Sequence, residues 1–152
     1  AVVAEVRRLS MEDSVVCTGM IDHGTIIRDN ILRLGDVFVT ASKTENQPLS
    51  LMEAMSFRLP LVAANAKGNP ELVEHGRNGY VFEPDNVGAM AEYMQKFAAK
   101  HPTLARDMGQ ESGVLIQEHL VPRVVEKLEA LYRDTVDAYV PRRRFAKRRK
   151  RS

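Results

Sequence analysis

Two glutamates, Glu45 and Glu53, are the residues whose type and spacing best suit ligand chemistry in this chain. They lie eight residues apart in a stretch that runs from residue 42 to residue 55. An ionised carboxylate accepts hydrogen bonds from hydroxyl groups, so the pair could hold a ligand that carries several hydroxyls. Two glutamates at this spacing are common, however, and solvated or helix-capping carboxylates are the alternative interpretation.

The segments around the two glutamates predict a strand, a polar loop and the start of a helix. The apolar run 37–40 is short and rich in β-branched residues, as a buried strand is. Pro48 precedes a run of good helix formers and stands where a first-turn proline is favoured. Open α/β sheets bind ligands at such a junction, because backbone N–H groups and the positive end of the helix dipole favour phosphate.

A longer series of motifs follows in order. The motifs are Glu-x7-Glu (45–53), Ala-Met (54–55), Leu-Pro-Leu-Val-Ala (59–63), Gly68, Glu-Leu-Val (71–73) and Asn-Gly-Tyr-Val-Phe (78–82). Over residues 15–97 this order resembles the nucleotide-sugar-binding domain of retaining glycosyltransferases with two Rossmann-type domains, the family 4 type of the GT-B fold. With the motifs in register, a ligand-binding role for the two glutamates is favoured over the solvated alternative.

The resemblance implies a role for each residue of the central stretch. Glu53 would accept hydrogen bonds from the ribose of a nucleoside-diphosphate sugar, and Glu45 would contact the donor sugar as the candidate catalytic residue. The remaining residues implied in donor binding are Asn46, Gln47, Leu49, Ser50, Met20 and Ile21. The resembled fold needs no protein-bound metal or other cofactor, so none is expected here.

The implied contacts differ in kind. The backbone N–H groups of Asn46, Gln47 and Leu49 would face the sugar and the phosphates, and Ser50 would add a hydroxyl at the helix start. Asn46 and Gln47 replace a glycine-rich pair of the resembled family, and Pro48 has no N–H to offer.

Two further segments have alternative interpretations, and one residue differs from the resembled family. Met20 and Ile21 would set backbone against the nucleobase, but an ordinary strand-to-helix turn explains them equally well. The loop 65–69 would face the diphosphate, or it is a plain loop. Arg58 stands where the resembled family has a helix-stopping glycine, and a left-handed conformation there would cost on the order of 1 kcal/mol.

Alternating apolar runs predict an α/β fold with a partial Rossmann-like parallel sheet of about four strands. The predicted strands are 15–20, 37–40, 61–64 and 80–82. The predicted helices are 1–9, 26–34, a segment after Pro48, a short one from Pro70, and 86–99, followed by C-terminal helices that break near Gly113 and Pro122. Residues 1–141 would be part of a C-terminal donor-binding domain, without the strand–helix units that precede it in the resembled family or that family's acceptor domain.

Charge is divided unevenly along the chain. Residues 142–152 hold eight of the 22 Lys and Arg and no acid, which leaves 14 bases against 20 acids in residues 1–141, a formal charge of −6. The basic tail would be a disordered solubilising extension, a contact to anionic lipid head groups, or a nucleic-acid contact. Nucleic acid is the least favoured of the three, because no stacking aromatics beyond Phe145 and no base-reading motif accompany the tail.

Several classes of protein are excluded by simple features. No apolar run reaches the roughly 18 residues of a membrane helix, and the single Cys17 excludes an internal disulfide. The histidines lack metal-ligand spacing; His23 falls at a turn near the expected base region, where a surface histidine is the favoured interpretation. A reducing, cytoplasmic setting is expected, with peripheral contact at the inner membrane face as an option.

The sequence therefore predicts the donor-binding part of a retaining glycosyltransferase that moves a hexose to a glycan, lipid or small acceptor. The alternatives are a non-catalytic remnant that binds a sugar nucleotide or a partner chain, and part of a nucleotide-sugar epimerase of the same architecture. In the resembled family, an Arg and a Lys from an earlier segment neutralise the leaving diphosphate. These 152 residues alone are therefore expected to show no transfer, with the missing N-terminal half supplied in cis or in trans.

Overall fold

The computed structural model describes residues 2–100 and 102–139. The predicted basic tail, 142–152, lies outside the described residues. The helices are α1 (Val2–Arg8), α2 (His23–Arg28), α3 (Leu49–Ser56), α4 (Asn69–Leu72), α5 (Val87–Lys100), α6 (Pro102–Leu115) and α7 (Val121–Tyr139), with two 3-10 helices at Ile31–Leu34 and Ile116–His119. The strands are β1 (Phe38–Thr40), β2 (Leu61–Ala64) and β3 (Gly79–Phe82).

The three strands form one parallel sheet in the order β1-β2-β3. Val39 lies beside Val62 in the register of the first pair, and Ala63 lies beside Val81 in that of the second. Parallel neighbours require a crossover, and here α3 connects β1 to β2 while α4 connects β2 to β3. The α/β class and the parallel sheet predicted from the sequence are confirmed.

The core lies on both faces of the central strand β2, whose four residues are all buried. Leu61 and Ala63 belong to the apolar cluster on one face, together with buried residues of α3 and α4. Val62 and Ala64 belong to the cluster on the other face, which includes Phe97 of α5. Because successive side chains of a strand point to opposite faces, a continuously apolar strand is what a sheet covered on both sides requires.

The predicted strand at 15–20 is wrong. These residues have no regular structure, Val16 is 86% exposed and Met20 is fully exposed. A strand is stable only where its backbone pairs with a neighbour, and in the described part of the chain only β2 pairs with β1. The sheet described therefore has three strands, not four.

The predicted helix 26–34 is two shorter pieces. α2 ends at Arg28, Asn30 adopts a left-handed conformation with φ of 53°, and the 3-10 helix starts at Ile31. Asn tolerates this conformation better than most residues, so the chain turns at Asn30. Gly35 follows this 3-10 helix with an extended backbone, and its N–H donates to the Leu32 carbonyl.

The C-terminal helices break close to the two predicted positions. α6 continues through Gly113 and ends at Leu115, and Leu120 has an extended backbone just before α7, of which Pro122 is the second residue. A Cβ on Gly113 would lie 3.1 Å from Cγ of Arg58, so this glycine allows α6 to pack closely against the Arg58 side chain. No helix in 2–100 or 102–139 combines the length and apolar composition that a membrane crossing needs.

Candidate functional site

Three loops that follow the three strands form the candidate site. They span residues 41–48 after β1, 65–68 after β2 and 83–86 after β3. Because the strands are parallel, all three loops leave the sheet at the same side, where open α/β sheets bind ligands. This group of loops is called the carboxyl edge below.

The first two loops are held against each other by a backbone hydrogen bond and by the side chain of Asn69. The N–H of Gly68 donates to the carbonyl of Glu45 at 3.2 Å. The buried Asn69 side chain donates through Nδ2 to the carbonyls of Ser42, at 3.1 Å, and Ala64, at 3.0 Å. A Cβ on Gly68 would lie only 2.2 Å from the Asn46 carbonyl oxygen, so only glycine permits this approach.

The third loop is tied to the other two by side chains. Lys43 Nζ lies 2.5 Å from Oδ1 and 2.6 Å from Oδ2 of Asp85. Asn65 donates through Nδ2 to Glu83 at 2.8 Å, and its backbone N–H donates to the Phe82 carbonyl at 2.7 Å. All three loops of the carboxyl edge therefore contact one another.

The helix α3 begins at this edge. Pro48 is buried and immediately precedes the helix, and its carbonyl accepts hydrogen bonds from the N–H groups of Leu51 and Met52. Leu49 and Ser50 form the first turn and are exposed. First-turn N–H groups have no partner inside their own helix, so they are available to an anion.

The two predicted carboxylates are held in different ways. Glu45 is exposed and fixed through its backbone carbonyl, and Asn46 and Gln47 are exposed beside it. Glu53 is half-buried on α3, and its Oε1 lies 2.7 Å from Nε2 of His23. The structure thus positions Glu45 against the β2–α4 loop and Glu53 against the start of α2. Their roles toward a donor stay predictions.

The segment before α2 contributes the other predicted residues. Asp22 caps α2 by accepting a hydrogen bond from the Thr25 N–H at 3.1 Å, which fixes His23 at the first helical position. Met20 is fully exposed and Ile21 half-buried, and they lie three and two residues before His23. The contact of His23 with Glu53 therefore brings this segment beside α3.

Three residues of the site were not identified from the sequence. His23 was interpreted as a surface histidine; it is exposed, but its ring contacts Glu53. Lys43 and Asn69 were not singled out, although Lys43 pairs with Asp85 and Asn69 donates to the carbonyls of Ser42 and Ala64. The only local signal was position, since Lys43 lies in the loop that contains Glu45.

Cavities lie elsewhere in the described chain. One of about 620 Å³ lies along the 3-10 helix Ile116–His119 and α7 and is lined by Gln117, Val125 and Glu129 among others. None of the predicted donor-binding residues lines it. The predicted residues in 45–50 are exposed, so the candidate site is an exposed edge of the described chain. Within residues 2–100 and 102–139, no three His, Cys, Asp or Glu side chains cluster as metal ligands would.

Known proteins of one family are similar to this chain in sequence. The profile of the family "Glycosyl transferases group 1" matches residues 2–100. The N-acetyl-alpha-D-glucosaminyl L-malate synthase of Bacillus anthracis is 27% identical over 132 residues, which cover 86% of this chain and 33% of that protein.

Solved structures share the fold. Sucrose-phosphate synthase from Thermosynechococcus elongatus superposes with a TM-score of 0.77 at 25% identity, covering 90% of this chain and 34% of that one. TarM from S. aureus, in a complex that contains UDP, superposes with a TM-score of 0.74 at 26% identity, covering 86% of this chain and 26% of that one. The chain thus spans about a third or less of the length of these proteins. It belongs to the glycosyl transferases group 1 family and has the α/β architecture of part of a GT-B glycosyltransferase.

Proposed function

We propose that this chain is the donor-binding part of a retaining glycosyltransferase that transfers a hexose from a nucleoside-diphosphate sugar. The nucleotide would bind across the carboxyl edge and the start of α3. Glu53 accepts hydrogen bonds from the ribose hydroxyls, the N–H groups at the start of α3 face the diphosphate, and Glu45 contacts the sugar. The segment at Met20 and Ile21 would lie against the base.

The observation that carries this proposal is the convergence of three interlocked loops on the start of α3. A diphosphate needs N–H donors and positive potential, and the first turn of α3 offers both. Ribose and hexose hydroxyls need acceptors, and Glu45 and Glu53 stand on either side of that turn in the sequence. The UDP in the TarM complex is consistent with such a donor for a related protein.

Binding without transfer is the second candidate for the chain by itself. It is supported by coverage, because the chain spans only about a third of the length of these relatives. In the resembled family, a further domain supplies the acceptor site. Part of an epimerase of the same architecture would bind the same donors. Donor binding is proposed to need no metal, so the affinity should be equal with and without a chelator.

The test is calorimetric titration of the full chain with UDP- and GDP-sugars. The wild type should bind one of them, and Glu53→Ala should weaken that binding at least about tenfold, because a hydrogen bond to a charged group is lost. Glu92→Ala, an exposed glutamate of α5, is the matched control and should bind like the wild type. Equal affinities for Glu53→Ala and the wild type would contradict the proposed site.

A further inference from the structure

We infer that His23 is a positioning residue for Glu53, fixing the carboxylate in the orientation in which it recognises the ribose. This inference rests on the proposed function, because it assigns His23 to the same donor site. Nε2 of His23 lies 2.7 Å from Oε1 of Glu53, although the two residues are 30 positions apart in the sequence.

The contact has a defined direction. An ionised carboxylate can only accept hydrogen bonds, so Nε2 of His23 carries the proton and donates it to Oε1. A carboxylate has a second oxygen, and among the described residues no other side chain donates to Glu53. His23 thus engages one oxygen and leaves Oε2 available to a hydroxyl of the ligand.

The exposure of the two side chains indicates that their contact orients Glu53 and contributes little to the stability of the fold. The His23 side chain is 69% exposed and that of Glu53 is 27% exposed. Exposed pairs contribute little to folding, so the fold does not depend on this contact. The glutamate, in contrast, is a flexible side chain that loses rotamer freedom when it binds, and a partner that fixes it beforehand reduces that cost.

His23 is itself held in place by its element. The carboxylate of Asp22 caps the first turn of α2, and His23 is the first residue of that turn. The ring therefore reaches Glu53 from a fixed backbone, so α2 and α3 present the carboxylate jointly. Removing the His23 ring should therefore let the Glu53 side chain adopt other rotamers, while the carboxylate itself is retained on α3.

The experiment compares a ribonucleotide with an analogue that lacks the recognised hydroxyl. The full chain is titrated with UDP and GDP and with their 2′-deoxy and 3′-deoxy forms. Wild type should bind one ribonucleotide more tightly than one deoxy form, and Glu53→Ala should abolish that difference. His23→Ala should lower affinity for the ribonucleotide by about 3- to 10-fold and leave the deoxynucleotide nearly unchanged.

Two further variants separate positioning from general damage. His23→Gln keeps an N–H donor at a similar reach and should recover most of the preference for ribose. Arg28→Ala removes another exposed side chain of α2, whose partners are Thr25 and Asp29 of the same segment, and should bind like the wild type. The double variant of His23→Ala and Glu53→Ala should be no weaker than Glu53→Ala alone, because His23 acts only through Glu53.

The outcomes distinguish the two claims. If Glu53→Ala abolishes ribose preference but His23→Ala retains it in full, the inference about His23 is overturned and the proposed function stands. If Glu53→Ala itself retains the preference, the assignment of Glu53 fails and the proposed function fails with it. A His23→Ala variant that loses affinity equally for both nucleotides would make the role of His23 structural and would overturn the inference.

Discussion

At the scale of single residues, Glu45 and Glu53 differ in what holds them. The Glu53 carboxylate is half-buried and accepts a hydrogen bond from the His23 ring, which suits recognition of a ribose in one fixed position. Glu45 is held by its carbonyl, which accepts from Gly68, while its side chain is exposed. Substituting the Glu45 side chain should therefore affect a ligand and leave the fold intact.

Glu45→Ala is predicted to change unfolding free energy by no more than about 0.5 kcal/mol, as is usual for exposed positions. Its effect should fall on the sugar: the variant should lose the affinity that a nucleotide sugar gains over the bare nucleoside diphosphate. Thermal denaturation and parallel titrations with UDP and UDP-glucose measure both. An unchanged preference for the sugar nucleotide would remove Glu45 from the sugar site.

Arg58 is a residue in a conformation that suits glycine. Its φ is 58°, and the N–H groups of Arg58 and Leu59 donate to the carbonyls of Met55 and Ala54, which closes α3. This pattern ends many helices and usually has glycine at the left-handed position. The conformation inferred from the sequence is thus observed.

Arg58→Gly is predicted to stabilise the fold by about 0.5–1 kcal/mol, since the left-handed strain is removed at some cost in chain entropy. Urea denaturation of the two proteins measures the change. A destabilised variant would mean that packing of the Arg58 stem against Gly113 outweighs the backbone strain.

At the scale of elements, the close contact between the first two loops of the carboxyl edge depends on one glycine. Gly68 has an ordinary right-handed backbone, so conformational freedom is not the reason for it. Its Cβ position is blocked by the Asn46 carbonyl. Gly76 is the converse case, with φ of 82° and open space around its Cβ position.

Gly68→Ala is predicted to cost about 1–3 kcal/mol, because the loop 41–48 must shift away. It should also weaken nucleotide binding, since the shift displaces the residues that precede α3. Gly76→Ala should cost about 1 kcal/mol of backbone strain and leave binding unchanged. If the two substitutions had equal effects on binding, the contact between the loops would not be part of the ligand site, and the prediction would be wrong.

Ion pairs help to hold α7 against the 3-10 helix that precedes it. No residue of α7 is buried, and the preceding 3-10 helix supplies Glu118, which pairs with Lys127 and Arg123. The hydrogen bond from Lys127 and the charges of both bases lower the pKa of Glu118 below its ordinary value of 4.5. Because the folded state holds the proton less tightly than the unfolded chain, this contribution is present above pH 4.5 and is lost as the pH falls below it.

Glu118→Gln is therefore predicted to lower the melting temperature slightly at neutral pH, where the carboxylate is ionised. At about pH 3 the wild type loses the same interaction, so the two melting temperatures should approach each other. Melting curves of both proteins at the two pH values test this. A gap that widens in acid would contradict the assigned ion pairs.

At the scale of the whole molecule, local sequence patterns were sufficient to predict the three short strands of the sheet. β1, β2 and β3 were predicted within a residue or two, because each apolar run is short and bounded by Pro, Gly or polar residues. The same reasoning failed at 15–20, where the composition resembles a strand but no neighbour pairs with it. Pairing is a property of the assembled sheet, not of the segment.

The candidate site was predictable to a similar degree. The loop with Glu45 and the start of α3 followed from local spacing and from the resemblance. The contact of His23 with Glu53 and that of Lys43 with Asp85 join residues 30 and 42 positions apart, which no local pattern encodes. Such contacts emerge only when the crossovers bring the loops to one edge.

The chain by itself is predicted to bind a nucleotide sugar without transferring it. The charge that develops on a leaving diphosphate needs cations, and in the resembled family these come from a segment before the matched motifs. A radiolabelled UDP-sugar incubated with the purified chain should yield neither free sugar nor product above background. Turnover by the chain alone would overturn this prediction.

The most direct test of the central claim is to map where a nucleotide touches the folded chain. Amide shifts in heteronuclear NMR spectra should be recorded as UDP or GDP is added, with inorganic phosphate as the control. The largest changes are predicted in residues 44–53 and 65–68, which cover the start of α3 and two loops of the carboxyl edge, and at His23 of α2. Changes concentrated instead in residues 117–129, along the cavity beside α7, would contradict the account.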